Sequence, residues 1–196
     1  MKKGVTFNEI RPTLALVVIA LVVTTALSFT YGATKPVIDR IHEQEADAAR
    51  RAVLPAGADF RDVTQEVKEN IPETIAAVFE AGDGAGYVVT VDEKGFGGTV
   101  EIMVGIDGDG AVSGVKTLNH SETPGLGTKA MTADYLAQYS GVTDIKTKKL
   151  DKDRAEATEI DTITGATITS NAVYRAVNAA LEFTRDKAVS SEEADV

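Results

Sequence analysis

The sequence predicts an α+β chain: a single N-terminal transmembrane helix, then an antiparallel sheet with flanking helices. Three observations predict it. No residue from Pro12 through Thr34 carries a charge; β-branched and aromatic runs separated by turn signals fill Ile75 to Leu118; and after Ser170 the apolar positions Val173, Ala176, Val177, Ala180 and Leu181 follow one helical face. At 196 residues there is room for one domain plus an appendage.

The uncharged run is long enough to cross a bilayer, which takes about 20 mostly apolar residues. Residues 1–11 then form a cytoplasmic tail and 12–34 the span. A cleaved signal peptide is the rival, but its apolar core is usually about 7–15 residues. The small residues Thr24-Thr-Ala26, which could guide cleavage, lie inside the run, which favours an uncleaved anchor. Lys2, Lys3 and Arg11 precede the span, whereas Lys35, Arg40, Arg50 and Arg51 follow it mixed with Asp39, Glu43, Glu45 and Asp47. The expectation is a single-pass protein of the inner or cytoplasmic membrane, with its N-terminus in the cytoplasm and its body outside.

Residues 35–57 read as a helical stalk, with Val37 and Ile41 among charges and Pro55 and Gly57 ending it. A body of 58–187 follows. Its strands are expected at Ile75–Phe79, Gly86–Val91, Thr99–Ile106 and Ala111–Leu118. Asp107-Gly-Asp-Gly110 joins the last two as a hairpin turn; a calcium loop would need an acidic residue where Leu118 stands. The glycine clusters 82–86 and 95–98 lack the following helix of a nucleotide fingerprint and read as turns or points of close approach. The polar, acidic segment 188–196 is expected to be disordered.

Composition excludes several functions. A formal net charge of −10 and a pI near 4.7 leave no basic surface for nucleic acid. With no cysteine, the chain cannot supply zinc thiolates, iron–sulfur ligands or disulfides. Its two histidines, His42 and His120, fall in the stalk and the body, so no metal site is expected.

Two loops remain. Asp161-Thr-Ile-Thr-Gly-Ala-Thr-Ile-Thr169 brings four threonines and Gly165 to the start of the last helix, with Ser170 or Thr169 placed to cap it. Unpaired N–H groups and the helix dipole there suit a phosphate, and Gly165 allows close approach; an ordinary capped helix is the competing reading. The second loop, His120-Ser-Glu-Thr-Pro-Gly-Leu-Gly127, precedes a helix expected from Thr128 to Tyr139. Pro124-Gly125 fits the centre of a type II turn. Glu122 would offer a polar edge and Leu126 a flat apolar contact to a ring ligand; a plain strand-to-helix connection is the alternative.

Together the segments Glu122-Thr123-Pro124-Gly125-Leu126-Gly127 and Asp161-x-x-Thr164-Gly165-Ala166-Thr167 resemble the paired signatures of the FMN-binding domain found in the G subunit of the Rnf complex and in the C subunit of the sodium-pumping NADH:quinone oxidoreductase. The resemblance covers nearly the whole chain, and its short length favours the Rnf form. It implies that a flavin transferase recognises Asp161, Thr164, Gly165 and Ala166 and joins FMN through its phosphate to the Thr167 hydroxyl. Ser170, at the helix start, would assist the phosphate, and Lys129 would lie near a ring or phosphate oxygen. It further implies an electron-relay subunit, inactive alone, among the membrane subunits of a complex that moves electrons between ferredoxin and NAD and couples this to cation transport. The quinone-reductase form and a non-redox extracytoplasmic binding module are the alternatives.

Overall fold

A computed structural model describes residues 7–68, 71–146 and 158–194. Residues 1–6 of the expected tail and 195–196 at the other end lie outside the described residues. The chain divides into two compact units, 1–46 and 47–196, and the second begins earlier than the body expected from 58.

Helix α1 runs continuously from Phe7 to Val53 through Pro12 and Pro36, so span and stalk share one helix. Along its apolar stretch the described large side chains are exposed, Leu16 at 71% and Phe29 at 80%. The hydroxyls of Thr25, Thr30 and Thr34 donate to the carbonyls of Leu21, Ala26 and Thr30 at 2.7, 2.9 and 3.0 Å. Polar groups inside an apolar stretch are thereby satisfied by the helix itself, as a bilayer demands.

The second unit is an antiparallel meander. Strands β1 (Arg61–Asp62), β2 (Ile75–Ala81), β3 (Gly86–Lys94), β4 (Thr99–Asp107) and β5 (Val112–His120) pair in sequence order, and a single turn of helix, α2 (Thr64–Val67), joins the first two. Hairpins explain the order of β2 to β5, since each of these strands is followed within a few residues by its neighbour. At the β4–β5 turn the Asp107 carboxylate accepts from the N–H groups of Asp109 (3.1 Å) and Ala111 (2.9 Å). The acidic turn therefore caps its own backbone.

Both faces of the central strands β3 and β4 are covered, which is why these two read as continuous apolar runs rather than alternating ones. Val89, Val91, Val100, Ile102, Val104 and Ile106 pack with Val173, Val177 and Leu181 of α4 (Thr167–Ala194). Val88 and Met103 face the other way, against Ala49, Val53 and Leu54 at the end of α1. Gly105 and Gly114 are register partners at that contact, and a Cβ on either would meet the Val53 backbone. The helix end needs this flat place on the sheet.

Two expectations are corrected. The helix expected from Thr128 to Tyr139 is three short pieces: a 3-10 segment Gly127–Met131, α3 (Ala133–Leu136) and a second 3-10 turn Ala137–Tyr139. Thr132 makes the break, because it is extended and its hydroxyl accepts from the Tyr135 N–H (3.4 Å), starting α3 afresh. The tail expected to be disordered from 188 is helical to Ala194. Val189-Ser-Ser-Glu-Glu-Ala holds no glycine or proline to stop it. Strands β6 (Ile145–Lys146) and β7 (Thr158–Glu159) form a small parallel pair that the sequence did not announce.

Candidate functional site

The loop after β5 is shaped by a turn. Leu126 donates its N–H to the Thr123 carbonyl (3.2 Å), and Gly125 between them has φ +77°. That is the left-handed position a Pro-Gly turn requires. The Gly125 N–H reaches Thr128 Oγ1 at 2.9 Å, and Leu126 stays 53% exposed.

The approach to α4 is fixed from two sides. The Asp161 N–H donates to Gln138 (2.9 Å) while its carbonyl accepts from the Tyr135 hydroxyl (2.8 Å). Further on, Gly165 at φ +85° turns the chain into the helix, and the N–H of Ala166 bonds the Ile163 carbonyl (2.9 Å). The helix begins at Thr167, earlier than the expected cap at Thr169 or Ser170. Ser170 is instead fully buried, its Oγ accepting from the Ile163 N–H at 3.1 Å. It clamps the approach loop and has no face left for a phosphate.

Glu122 brings the two loops together. It is 5% exposed; Oε2 accepts from the Thr169 hydroxyl and Oε1 from the Gly97 N–H, both at 2.8 Å. The expected polar edge is therefore a buried strut. Beside it opens a cavity of about 310 Å³ lined by Glu122, Thr123, Leu126 and Gly127 from one loop and Gly165, Ala166, Thr167, Ile168 and Thr169 from the other, with Phe96 from the β3–β4 tip. Thr167 is half-buried, and its hydroxyl has one long contact, 3.5 Å to the Ile163 carbonyl.

A profile of the FMN-binding domain matches residues 95–182, which include both loops and the Phe96 tip. Over 183 residues the chain is 34% identical to the G subunit of the Na(+)-translocating ferredoxin:NAD(+) oxidoreductase complex of Acetobacterium woodii, covering 86% of this chain and 88% of that one. It is 31% identical to the G subunit of the ion-translocating oxidoreductase complex of Pseudoalteromonas atlantica, covering 89% and 87%. This chain belongs to the G-subunit family of ion-translocating oxidoreductase complexes. A solved structure of the C subunit of the Na(+)-translocating NADH-quinone reductase from Parabacteroides distasonis is similar at TM-score 0.46 and 23% identity, covering 62% of this chain and 64% of that one. So weak a likeness adds nothing to the assignment.

In this member of the family, Glu122, Thr123, Leu126, Gly127, Gly165, Ala166 and Thr167 gather at one cavity. Asp161, Thr164, Pro124, Gly125 and Lys129 are off its wall, as Ser170 is by burial. Lys129, expected near a ring or phosphate oxygen, does not line the cavity; its backbone N–H bonds the Leu126 carbonyl (3.1 Å).

Sequence reasoning missed Phe96 and Ile168, which are 74% and 52% exposed on the cavity rim. Both left a signal. Phe96 is an aromatic between glycines, and Ile168 lies out of phase with the buried face of α4. A larger cavity, about 490 Å³, is edged by Glu80, Asp107, Arg185 and Lys187. Its charges serve the fold: Glu80 pairs with Arg61 (2.6 Å), and Arg185 reaches Asp144 (3.6 Å) and the Thr143 carbonyl (3.1 Å).

Proposed function

We propose that this chain is the membrane-anchored electron-transfer subunit of an Rnf-type complex, carrying FMN joined through its phosphate to Oγ1 of Thr167. The observation that carries the reading is convergence: two loops more than thirty residues apart meet at one cavity, with Thr167 on its wall. Membership in the G-subunit family supports membrane partner subunits, and the named activity of the Acetobacterium woodii relative supports electron flow between ferredoxin and NAD coupled to cation transport.

The residues fit such a group. Thr167 opens a helix of 28 residues, where first-turn N–H groups and the dipole favour residual negative charge on a phosphodiester. Phe96, Leu126 and Ile168 would supply apolar contact for a ring, in a space near the lower end of ligand-cavity volumes. When bound, FMN supplies the redox chemistry.

Attachment needs outside help, because a threonine hydroxyl is a weak nucleophile, the chain has no cysteine, and neither histidine lines the cavity. A flavin transferase meets that need. Thr167 Oγ1 loses its proton and bonds to the flavin-bearing phosphorus, while the pyrophosphate bond of a flavin dinucleotide donor breaks and a nucleoside monophosphate leaves. The contribution of Asp161, Thr164, Gly165 and Ala166 is recognition by that enzyme.

Co-expression with a flavin transferase tests the assignment. The wild-type chain should give a fluorescent band that survives SDS, and Thr167→Ala should give none. A dark wild-type band from native membranes would favour the non-redox binding module.

A further inference from the structure

We propose that Glu122 is a positioning residue for the attachment hydroxyl, its buried carboxylate tying the first turn of α4 to the β3–β4 tip so that Thr167 faces the cavity. The inference rests on the attachment reading above. It assigns Glu122 no contact with the flavin.

Glu122 is the one buried carboxylate among the described residues, and no described cation forms an ion pair with it. Burying a charge without a counter-ion is unfavourable unless strong donors satisfy it. Two do, the Gly97 N–H and the Thr169 hydroxyl, each at 2.8 Å. Bonds to an ionised acceptor are roughly twice as strong as neutral ones.

The surroundings are built to fit this group. A Cβ on Gly95 would run into Oε1, and one on Gly127 would run into Oε2. Gly97 is equally confined, against the Ser121 carbonyl. Glycines from two loops therefore form a cradle shaped to the carboxylate.

The strut acts where Thr167 begins its helix. Thr169 lies two residues on in the same turn, and Ser170 beside it holds Ile163. Between them, Glu122 and Ser170 fix the first turn from opposite ends of the loop, leaving Thr167 the hydroxyl with only a long contact. Pinning the neighbours while freeing the reacting group favours attack in one geometry.

The test uses full-length, unflavinylated chain, a purified flavin transferase and flavin dinucleotide. Thr169→Val keeps the shape and removes the donor, whereas Thr169→Ser keeps the donor. Thr169→Val should lower kcat for flavin transfer roughly 10–100-fold with KM near wild type, since the recognition residues are intact. Thr169→Ser should restore kcat, which a general loss of fold would not. Glu122→Gln, which keeps an acceptor for Gly97 but loses the charge, should fall between and decides the matter if Thr169→Val does not melt cooperatively. Wild-type kcat in both Thr169→Val and Glu122→Gln overturns the inference. Failure of wild type to accept flavin, or acceptance by Thr167→Ala, overturns the attachment reading instead.

Discussion

Gly127 shows how one residue can be legible by type and opaque by purpose. The sequence places glycine five positions after Glu122, and only the fold shows that the carboxylate turns back upon it. Gly127→Ala should therefore destabilise the body by about 1–3 kcal/mol, the usual cost of overpacking. A thermal midpoint lowered by roughly 2–4 °C per kcal/mol would show it; an unchanged midpoint would refute the cradle. Glu101 makes a prediction of the opposite sign. Burial, then the Asp92 carboxylate opposite it in register, pushes its carboxyl above the ordinary value. The folded chain thus holds this proton more tightly than the unfolded one, so the favourable contribution is present at low pH and lost as pH rises through the folded pKa. Glu101→Gln should raise the thermal midpoint at about pH 7 and leave it nearly unchanged at about pH 3.5, below the ordinary glutamate range. Equal shifts at both values would contradict the assignment.

At the level of elements, the four long strands were readable because each carries a β-branched run between turn signals. The two-residue strands β1, β6 and β7 were not, since pairings so short are set by what folds beside them. The end of α1 was half readable. Its helical character showed in the sequence, but its place in the body depended on the paired glycines 105 and 114 beneath Val53. A chain begun at Asp47 keeps Ala49, Val53 and Leu54, and should fold as a soluble, cooperatively melting domain. One begun at Pro55 loses two large aliphatic side chains and uncovers Val88 and Met103. It should be less stable by roughly 3–6 kcal/mol. Equal denaturant midpoints for the two chains would contradict this packing account.

For the whole molecule, the apolar span was the plainest signal, and the exposed Leu16 and Phe29 agree with membrane association. The site was legible as two loops but not as one cavity, because Phe96 and the Glu122–Thr169 bond join segments distant in sequence. The orientation is testable through the absence of cysteine. A single Asn119→Cys on β5 should react with an impermeant maleimide in intact cells, whereas protection until lysis would reverse the proposed topology. The central claim is that Thr167 bears the flavin. Intact mass of the chain purified from cells expressing the transferase tests it directly: wild type should carry one added FMN phosphoryl group and Thr167→Ala the unmodified mass. The same addition on Thr167→Ala, or none on wild type, would contradict the account.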